Sequence, residues 1–276
     1  MLMGVDINVG WSTAHEILVG SVAGVNYGTV EMCSSSGDIL VTDTPGGGRE
    51  VNSGGLVGTN GGTVKNCHSS VNVTGTGETG GIVGKNGKDV IFCYATGKIE
   101  LTHSTNSSCG GVVGSNEQSN SQGAVKNCVA MNPSLKAINH NTLGRVVGRY
   151  EHTVQKNYAR ADMTIVVSPG FGANTITSAA NGKDGESVSE NLYSTQKWWS
   201  SNLGPFFSFG KDAWKWSNDH KLPLLNFESE NMGLIFLDPN ELKPLLMQKP
   251  ELKIKDIKFP NPSITAPVNR RSTIRR

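Results

Sequence analysis

The fold is decided by a phrase that is complete at residues 54–67, GGLVGTNGGTVKNC. Nearly the same phrase returns at residues 80–93, GGIVGKNGKDVIFC, and at residues 110–128, GGVVGSNEQSNSQGAVKNC, where extra residues follow the asparagine. Two more distant copies occupy residues 20–33, GSVAGVNYGTVEMC, and residues 144–158, GRVVGRYEHTVQKNY. A phrase that stays constant while its spacing varies is typical of a solenoid, because insertions enter the loops and the packed part is kept.

Each copy supplies apolar residues at fixed places, and these predict three short strands per coil. The first place holds Val22, Leu56, Ile82, Val112 and Val146; the second holds Val30, Val64, Val90 and Val125; the third holds Ile39, Val73 and Ile99. A single coil cannot bury its inner face, whereas coils stacked ~4.8 Å apart bury continuous columns. The sequence therefore predicts an all-β protein, a β-solenoid (β-helix) of about five short coils.

Glycine and asparagine mark the turns of the copies. The equivalent glycines are Gly24, Gly58, Gly84, Gly114 and Gly148, and asparagine follows two residues later at Asn26, Asn60, Asn86 and Asn116. Asparagine tolerates left-handed backbone and bonds to its own backbone, so these residues can be ordinary turn residues. Stacked asparagines can also bond to one another as an amide ladder along the solenoid.

Four of the five cysteines share one repeat position and predict a buried column of thiols. They are Cys33, Cys67, Cys93 and Cys128. Free thiols are favoured over disulfides between adjacent coils, because Tyr158 aligns with this position in the fifth copy. Cys109 lies off the column and could be exposed. Three residues separate Val64 from Cys67, so a corner or bulge is needed near Asn66 if both side chains point inward.

The phrase GG[LIV]VGxN, followed by VKNC or FCYATG, resembles the GLUG motif, and CYATG at residues 93–97 is the best match. The resemblance covers residues 19–165 and is weaker in the fifth copy, where Arg145 and Tyr150 replace a glycine and the asparagine. GLUG repeats occur in filamentous-haemagglutinin-type adhesins, in Bacteroidetes surface proteins and in the non-catalytic region of IgA-specific metallopeptidases. The resemblance implies a secreted or cell-surface bacterial protein.

The region after the repeats is rich in tryptophan, and we expect Trp198, Trp214 and Trp216, with Trp199, to form a cap. A solenoid end exposes an unpaired edge that large aromatic side chains are suited to cover. The rival interpretation is an aromatic platform for sugars. Residues 229–276 are poor in glycine and rich in Lys and Pro, which indicates a linker or tail, or a basic docking peptide. The predicted domains are thus a lead-in or cap (1–18), the repeats (19–165), an insertion with the capping segment (166–228) and the tail (229–276).

Chemistry-bearing patterns are weak in this sequence. The net charge of +2 does not suggest a nucleic-acid partner, and no apolar run approaches the ~20 residues of a membrane span. We find no HExxH, CxxC, GxSxG or P-loop pattern, and His68 is expected to be a surface or turn residue. The carboxylates Asp38, Glu50, Glu78, Asp89 and Glu100 do not recur at one coil position. The sequence thus predicts a protein that is not an enzyme, with no catalytic residue, cofactor or metal.

Three functional hypotheses remain. The first is an adhesion or spacer module that binds a host or self surface glycan or protein through a repeat-built surface. Its hydroxyl groups would come from Ser34–Ser36, Ser69, Ser70, Thr102, Ser104 and Ser107, with loops at about 100–109 and 117–123 as contact sites. The second is the non-catalytic repeat region of a larger IgA-type metallopeptidase, and the third is a carbohydrate-active β-helix enzyme. The chain opens directly in repeat-like sequence without a signal peptide, which favours a piece of a longer polypeptide.

Overall fold

A computed structural model describes residues 2–10, 16–42, 50–103, 107–116, 123–138, 142–168, 175–203, 207 and 213–228. Every described element belongs to the unit Met1–Ile235. The remaining unit, Phe236–Arg276, lies outside the described residues, as does the whole predicted tail at 229–276. The described chain is dominated by short strands, which confirms the predicted all-β solenoid.

Five coils follow one another along the chain after a single leading strand, β1 (Leu2–Val9). Coil 1 comprises β2 (Glu16–Gly20), β3 (Ala23–Asn26), β4 (Thr29–Glu31) and β5 (Ser34–Val41). Coil 2 comprises β6 (Glu50–Gly54), β7 (Val57–Asn60), β8 (Thr63–Lys65) and β9 (His68–Gly75). Coil 3 comprises β10 (Glu78–Gly80), β11 (Val83–Asn86), β12 (Asp89–Ile91), β13 (Tyr94–Ala95) and β14 (Ile99–Leu101). Coil 4 comprises β15 (Ser108–Gly110), β16 (Val113–Asn116), β17 (Ala124–Lys126), β18 (Val129–Ala130) and β19 (Ser134–Ala137). Coil 5 comprises β20 (Leu143–Gly144), β21 (Val147–Tyr150), β22 (Thr153–Gln155), β23 (Tyr158–Arg160) and β24 (Thr164–Val167).

Each coil passes through four parallel sheets, one more than the sequence predicted. The first sheet contains β2, β6, β10, β15 and β20; the second contains β3, β7, β11, β16 and β21; the third contains β4, β8, β12, β17 and β22. The fourth sheet contains β1, β5 and β9. From coil 3 onward each coil contributes two short strands to this sheet in place of one long strand: β13 and β14, β18 and β19, and β23 and β24. The strand that sequence reasoning missed belongs to the first sheet. Its inward position holds Val19, Ser53, Thr79 and Cys109, so no shared apolar column signals it.

The three predicted apolar columns are present as stacked residues. Val30, Val64, Val90 and Val125 pair in succession, and so do Ile39, Val73 and Ile99. Leu56, Ile82, Val112 and Val146 are fully buried. Burial of side chains of this size stabilises the fold by ~1.5–3 kcal/mol each.

Val22 departs from its column because it remains 37% exposed, although its amide donates to the carbonyl of Leu56. It lies in coil 1, and β2, β3 and β4 are the terminal strands of their sheets in the described chain. Only the fourth sheet continues further, through the pairing of β1 with β5. The apolar column therefore opens to solvent at coil 1.

The corner required between the second apolar column and the cysteines occurs in all five coils. The residue before the cysteine position has a left-handed φ of 51° at Met32, 51° at Asn66, 54° at Phe92, 53° at Asn127 and 52° at Lys156. This single residue reverses the alternation of the strand, so that Val64 and Cys67 both reach the core. The corner predicted near Asn66 is thus at Asn66 itself.

The glycines of the phrase are required by close approach of neighbouring backbones. A Cβ atom built on Gly84 would lie 2.7 Å from the carbonyl oxygen of Gly58 and 2.7 Å from the amide nitrogen of Ser53. Both neighbours are backbone atoms, which cannot give way as a flexible side chain does. The second sheet therefore packs against the first sheet only where a side chain is absent.

After coil 5 the chain adds one more strand, two short helices and a hairpin. The strand β25 (Glu186–Val188) pairs with β23 in parallel. The helices are α1 (Glu190–Tyr193) and α2 (Gln196–Asn202), and α2 begins after Thr195, whose hydroxyl accepts from the amide of Trp198. The hairpin pairs β26 (Trp214–Ser217) with β27 (Leu222–Leu225) in antiparallel fashion.

Candidate functional site

The repeat asparagines form a buried ladder through coils 1 to 4. The Nδ2 atom of Asn26 donates to Oδ1 of Asn60 at 2.7 Å, Asn60 donates to Asn86 at 2.8 Å, and Asn86 donates to Asn116 at 2.7 Å. The same side chains also cap their own turns, because Oδ1 of Asn26 accepts from the amide of Gly28 at 3.0 Å. Both roles left open by the sequence therefore occur together. The ladder ends at coil 5, where Tyr150 pairs with Asn116.

The cysteines form a second internal column, and all five thiols are free. Each buried thiol of the column contacts a backbone carbonyl of the preceding coil: Cys67 contacts Val30 at 3.7 Å, Cys93 contacts Val64 at 3.8 Å and Cys128 contacts Val90 at 3.5 Å. Cys33, in coil 1, is only half-buried. Small, weakly polar side chains suit this column because they fill it without requiring strong partners.

Asn157, and not Tyr158, occupies the cysteine position in coil 5. Its Nδ2 donates to the carbonyl of Val125 at 2.9 Å, and its Oδ1 accepts from the amide of Cys128 at 2.9 Å. Tyr158 pairs with Val129, one residue further on, and faces outward. The alignment of Tyr158 with the cysteines was wrong, because the three-residue spacing from Val154 to Asn157 is kept.

Cys109 is fully buried, which corrects the expectation that it could be exposed. It lies in β15 between Thr79 and Leu143 and faces the core from the first sheet. Burial raises the pKa of the Cys109 thiol to about 12 and also raises the pKa of Cys93. A hydrogen bond with Cys67, with burial as a second cause, raises the pKa of Cys33.

The four tryptophans that follow the repeats lie on the outer face of the fourth sheet. Trp198, Trp199 and Trp214 are buried, and Trp216 packs at the edge of the same cluster. We call this cluster the aromatic flank: it comprises Trp198, Trp199, Phe207 and Trp214 with the outward-facing Tyr94, Val129 and Tyr158 of coils 3, 4 and 5. The rings of Phe207 and Trp214 stack at 4.8 Å, and Tyr158 meets Trp198 edge-on at 5.1 Å. The tryptophans therefore cover the side of the array, a position different from the end that the sequence suggested.

A different segment, residues 179–188, lies over the end of coil 5. The carbonyl of Lys183 accepts from the amides of Val146 and Val147, each at 2.9 Å, and β25 adds to the fourth sheet. Arg145 replaces the second glycine of the phrase and is buried beneath this segment. Its guanidinium donates to the carbonyls of Asp184 and Gly185 at 3.1 Å and to the hydroxyl of Ser187 at 2.9 Å. The degenerate last copy is thus adapted to a terminal position.

A buried histidine–carboxylate pair joins the hairpin segment to coil 2. The Nε2 atom of His68 lies 3.0 Å and 2.9 Å from the two carboxylate oxygens of Glu228, and the side chains are 1% and 2% exposed. The imidazole stacks on Tyr94 at 4.9 Å, and Glu228 also accepts from the amide of Leu225 at 2.7 Å. Burial opposes ionisation of Glu228, but the hydrogen bond and charge of His68 outweigh it and hold the carboxyl pKa below its usual value. The expectation that His68 is a surface or turn residue was wrong, because the partner that buries it is distant in sequence.

The hydroxyl groups proposed for recognition are mostly internal. Ser34, Ser35, Ser69 and Ser107 are buried, and the hydroxyl of Ser35 donates to the carbonyl of Gly55 at 3.2 Å. Ser36 and Ser70 are half-buried, whereas Thr102 is exposed and its hydroxyl donates to the carbonyl of Gly75 at 3.1 Å. The contact loops proposed at about 100–109 and 117–123 include residues 104–106 and 117–122, which lie outside the described residues.

The carboxylates singled out in the sequence lie on three different sheets. Glu50 and Glu78 are on the first sheet, Asp89 is on the third, and Asp38 and Glu100 are on the fourth. Glu50 pairs with Lys85 at 2.6 Å and Glu78 pairs with Arg149 at 3.2 Å, both across the corner between the first and second sheets. Within the described ranges, no group of three His, Cys, Asp or Glu side chains is arranged to hold a metal ion. Among these residues, too, no helix is long and apolar enough to cross a membrane.

Comparison with known proteins identifies the coil. The family model described as "The GLUG motif" matches residues 50–74, which run from the start of β6 to the penultimate residue of β9. The chain carries the GLUG motif. One GLUG motif therefore corresponds to one full passage through all four sheets.

A solved structure shares the fold of this GLUG-containing chain. It is a crystal structure from Bacteroides ovatus described as a "putative immunoglobulin A1 protease", with 20% sequence identity and a TM-score of 0.50. The similarity covers 82% of this chain and 66% of that one, so the chain spans just under two thirds of its length. No curated protein matches the sequence.

Proposed function

We propose that this chain is a non-catalytic GLUG repeat region of a larger secreted or surface polypeptide, where it acts as a rigid module that spaces and positions a neighbouring domain. In this proposal residues 19–165 form the array, residues 166–228 cover it, and residues 229–276 link it onward. The larger protein would be of the IgA-type peptidase class, with its catalytic residues elsewhere.

The observation that carries the proposal is the unbroken register of the array. Parallel pairing joins each coil to the next, and the asparagine ladder runs from coil 1 to coil 4 without a gap. Such stacking propagates order from one repeat to the next and produces a stiff element. The shared fold with the Bacteroides ovatus chain supports placing it beside a peptidase.

Adhesion through a hydroxyl-rich surface has less support from the geometry. Ser34, Ser35 and Ser69 face neighbouring chain segments, and their burial leaves them little access to a glycan. The carboxylates of Glu50 and Glu78 are engaged with Lys85 and Arg149. The test therefore has to distinguish a spacer from an adhesin and from a glycan-cleaving enzyme.

The test compares the isolated chain with the full-length polypeptide. Each is incubated with immunoglobulin A1, and cleavage is followed by gel electrophoresis and mass spectrometry. We expect cleavage only by the full-length protein. Removing one coil in register from the full-length protein should change the rate or the position of cleavage, since the distance between the flanking domains changes.

Two results would count against the proposal. Hydrolysis of immunoglobulin or of a glycan by the isolated chain, lost in Glu50→Gln or Glu78→Gln, would indicate an enzyme. Saturable binding of the isolated chain to immobilised glycans or host proteins would indicate an adhesin instead.

A further inference from the structure

The first two thiols of the cysteine column lie directly one above the other. Val30 pairs with Val64 and Ser34 pairs with His68, so Cys33 and Cys67 occupy equivalent places between two matched pairs. Adjacent strands are ~4.8 Å apart, within the Cα separation of about 4.4–6.8 Å that a disulfide requires. The amide of Cys33 donates to Sγ of Cys67 at 3.3 Å, which places the two residues in contact.

Solvent access to Cys33 distinguishes this pair from the other thiols of the column. Cys33 is half-buried, whereas Cys67, Cys93, Cys128 and Cys109 are buried. A small reagent in solution can therefore reach the sulfur of Cys33 first, and only Cys67 lies next to it in the column. Cys109 faces the core from another sheet, near the carbonyl of Lys136.

We propose that Cys33 and Cys67 form a reversible disulfide between coils 1 and 2 by exchange with a low-molecular-weight disulfide such as oxidised glutathione. The deprotonated sulfur of Cys33 attacks one sulfur of the reagent, breaks its S–S bond and releases one thiolate, which takes up a proton. The sulfur of Cys67, after losing its proton, attacks the mixed disulfide at Cys33 and releases the second thiol. Two protein thiols are oxidised, and one disulfide is reduced to two thiols.

The bridge would fasten the open end of the array. Coil 1 has terminal strands in three sheets of the described chain, and Val22 and Met32 are exposed there. A covalent bond to coil 2 closes a loop in the unfolded chain and so disfavours unfolding. Coil 1 would then resist fraying under oxidising conditions and relax under reducing ones.

The experiment equilibrates the reduced chain with oxidised and reduced glutathione at mildly alkaline pH, where the thiolates needed for exchange form more readily. The sample is then quenched and alkylated. Free thiols are counted under denaturing conditions, and non-reduced peptides are mapped by mass spectrometry. We expect the free thiols to fall from five to three, with one link between Cys33 and Cys67. Dithiothreitol should restore all five, and the oxidised chain should unfold at a higher temperature than the reduced chain.

The half-buried Cys33→Ser variant should keep all of its remaining thiols, while the matched control Cys109→Ala should form the same link as the wild type. Retention of all five thiols in the wild type would overturn the proposal. A glutathione adduct that stays on Cys33, or a link that maps to another pair, would overturn it as well. Mapping of the wild-type chain decides the matter even if a variant folds poorly.

Discussion

At the scale of single residues, each coil depends on one backbone position with left-handed φ. That conformation costs an ordinary L-residue roughly 1–2 kcal/mol, and asparagine tolerates it best after glycine. Asn66 and Asn127 fit this rule, whereas Met32, Phe92 and Lys156 adopt the same φ against their preference. The sequence predicted the corner from the spacing of Val64 and Cys67. It could not show that Lys156 turns in the same way, because stacking on coil 4 imposes that turn.

Lys156→Asn should therefore stabilise the protein. The side chain is exposed and φ is 52°, so the substitution removes strain without loss of a core contact. We expect the free energy of unfolding to rise by about 0.5–1 kcal/mol, measured by urea denaturation. The matched control is Gln155→Asn in the neighbouring strand, where asparagine is disfavoured and stability should fall slightly. Equal effects at the two positions would refute the argument.

The asparagine ladder makes a second prediction at this scale. Asn86→Ala leaves Asn60 and Asn116 without their ladder partner in a fully buried site, which should cost about 3 kcal/mol. Asn26→Ala, at the end of the ladder, removes only one ladder bond and should cost about 1 kcal/mol. Urea midpoints of the two variants test the difference. Similar losses would mean that the turn bonds, and not the ladder, supply the stability.

At the scale of elements, the aromatic flank shows why part of the candidate site could not be predicted. The sequence shows the tryptophan-rich segment, but it does not show the surface on which that segment packs. It packs on Tyr94, Val129 and Tyr158, which share one outward position yet differ from copy to copy. Comparison of the copies identifies only the positions whose residues are constant, and those positions face the core. The contact between His68 and Glu228 could not be predicted for the same reason, since Glu228 lies outside the repeats and no repeat position relates the two residues.

The buried pair makes stability depend on pH. The folded-state pKa of Glu228 lies below its unfolded value, so the carboxylate stabilises the fold above the unfolded pKa of about 4.3. That contribution is lost as the pH falls through the folded pKa. We expect the urea midpoint of the wild type to drop below pH ~4, and the drop to be smaller in Glu228→Gln, which starts from a lower stability at neutral pH.

The control for this prediction is Glu186→Gln, a change at an exposed carboxylate in β25. Its acid profile should follow that of the wild type. If Glu228→Gln also followed the wild type from neutral to acid pH, the pair would contribute no pH-dependent stability, and the hairpin would depend on the aromatic flank alone.

At the scale of the whole array, the architecture follows from one condition: equivalent residues of successive copies must stack. Leu56, Ile82 and Val112 meet that condition, each with its amide bonded to the carbonyl of the next coil. This stacking could be inferred from the sequence because the residues that are constant among the copies identify the register. The first sheet could not be inferred, since its inward position alternates between the apolar Val19, the hydroxyl residues Ser53 and Thr79, and Cys109, although these residues pair in succession.

Stacking also predicts that one coil can be removed if the register is kept. Gly20 and Gly54 occupy the same place in coils 1 and 2, so deletion of residues 20–53 joins Val19 to Gly54 without a shift. Val5 of β1 pairs with Gly37 of β5, and Gly37 pairs with Val71 of β9. Strand β1 would therefore pair with β9 after the deletion. Ile39, the partner of Ile7, likewise stands opposite Val73, so the inward face of β1 would meet an equivalent residue.

The shortened chain should fold cooperatively, with far-ultraviolet circular dichroism typical of β structure. Its unfolding free energy and its denaturant m-value should both be lower, because one coil and its interface are lost. A deletion of residues 20–52 removes one residue fewer and joins Val19 to Ser53, which shifts Glu16–Val19 by one position relative to the coils that follow. That variant should not fold, since a shift of register places core side chains on the wrong face. If both deletions folded equally well, the coils would not require residue-by-residue stacking, and the spacer role would lose its physical basis.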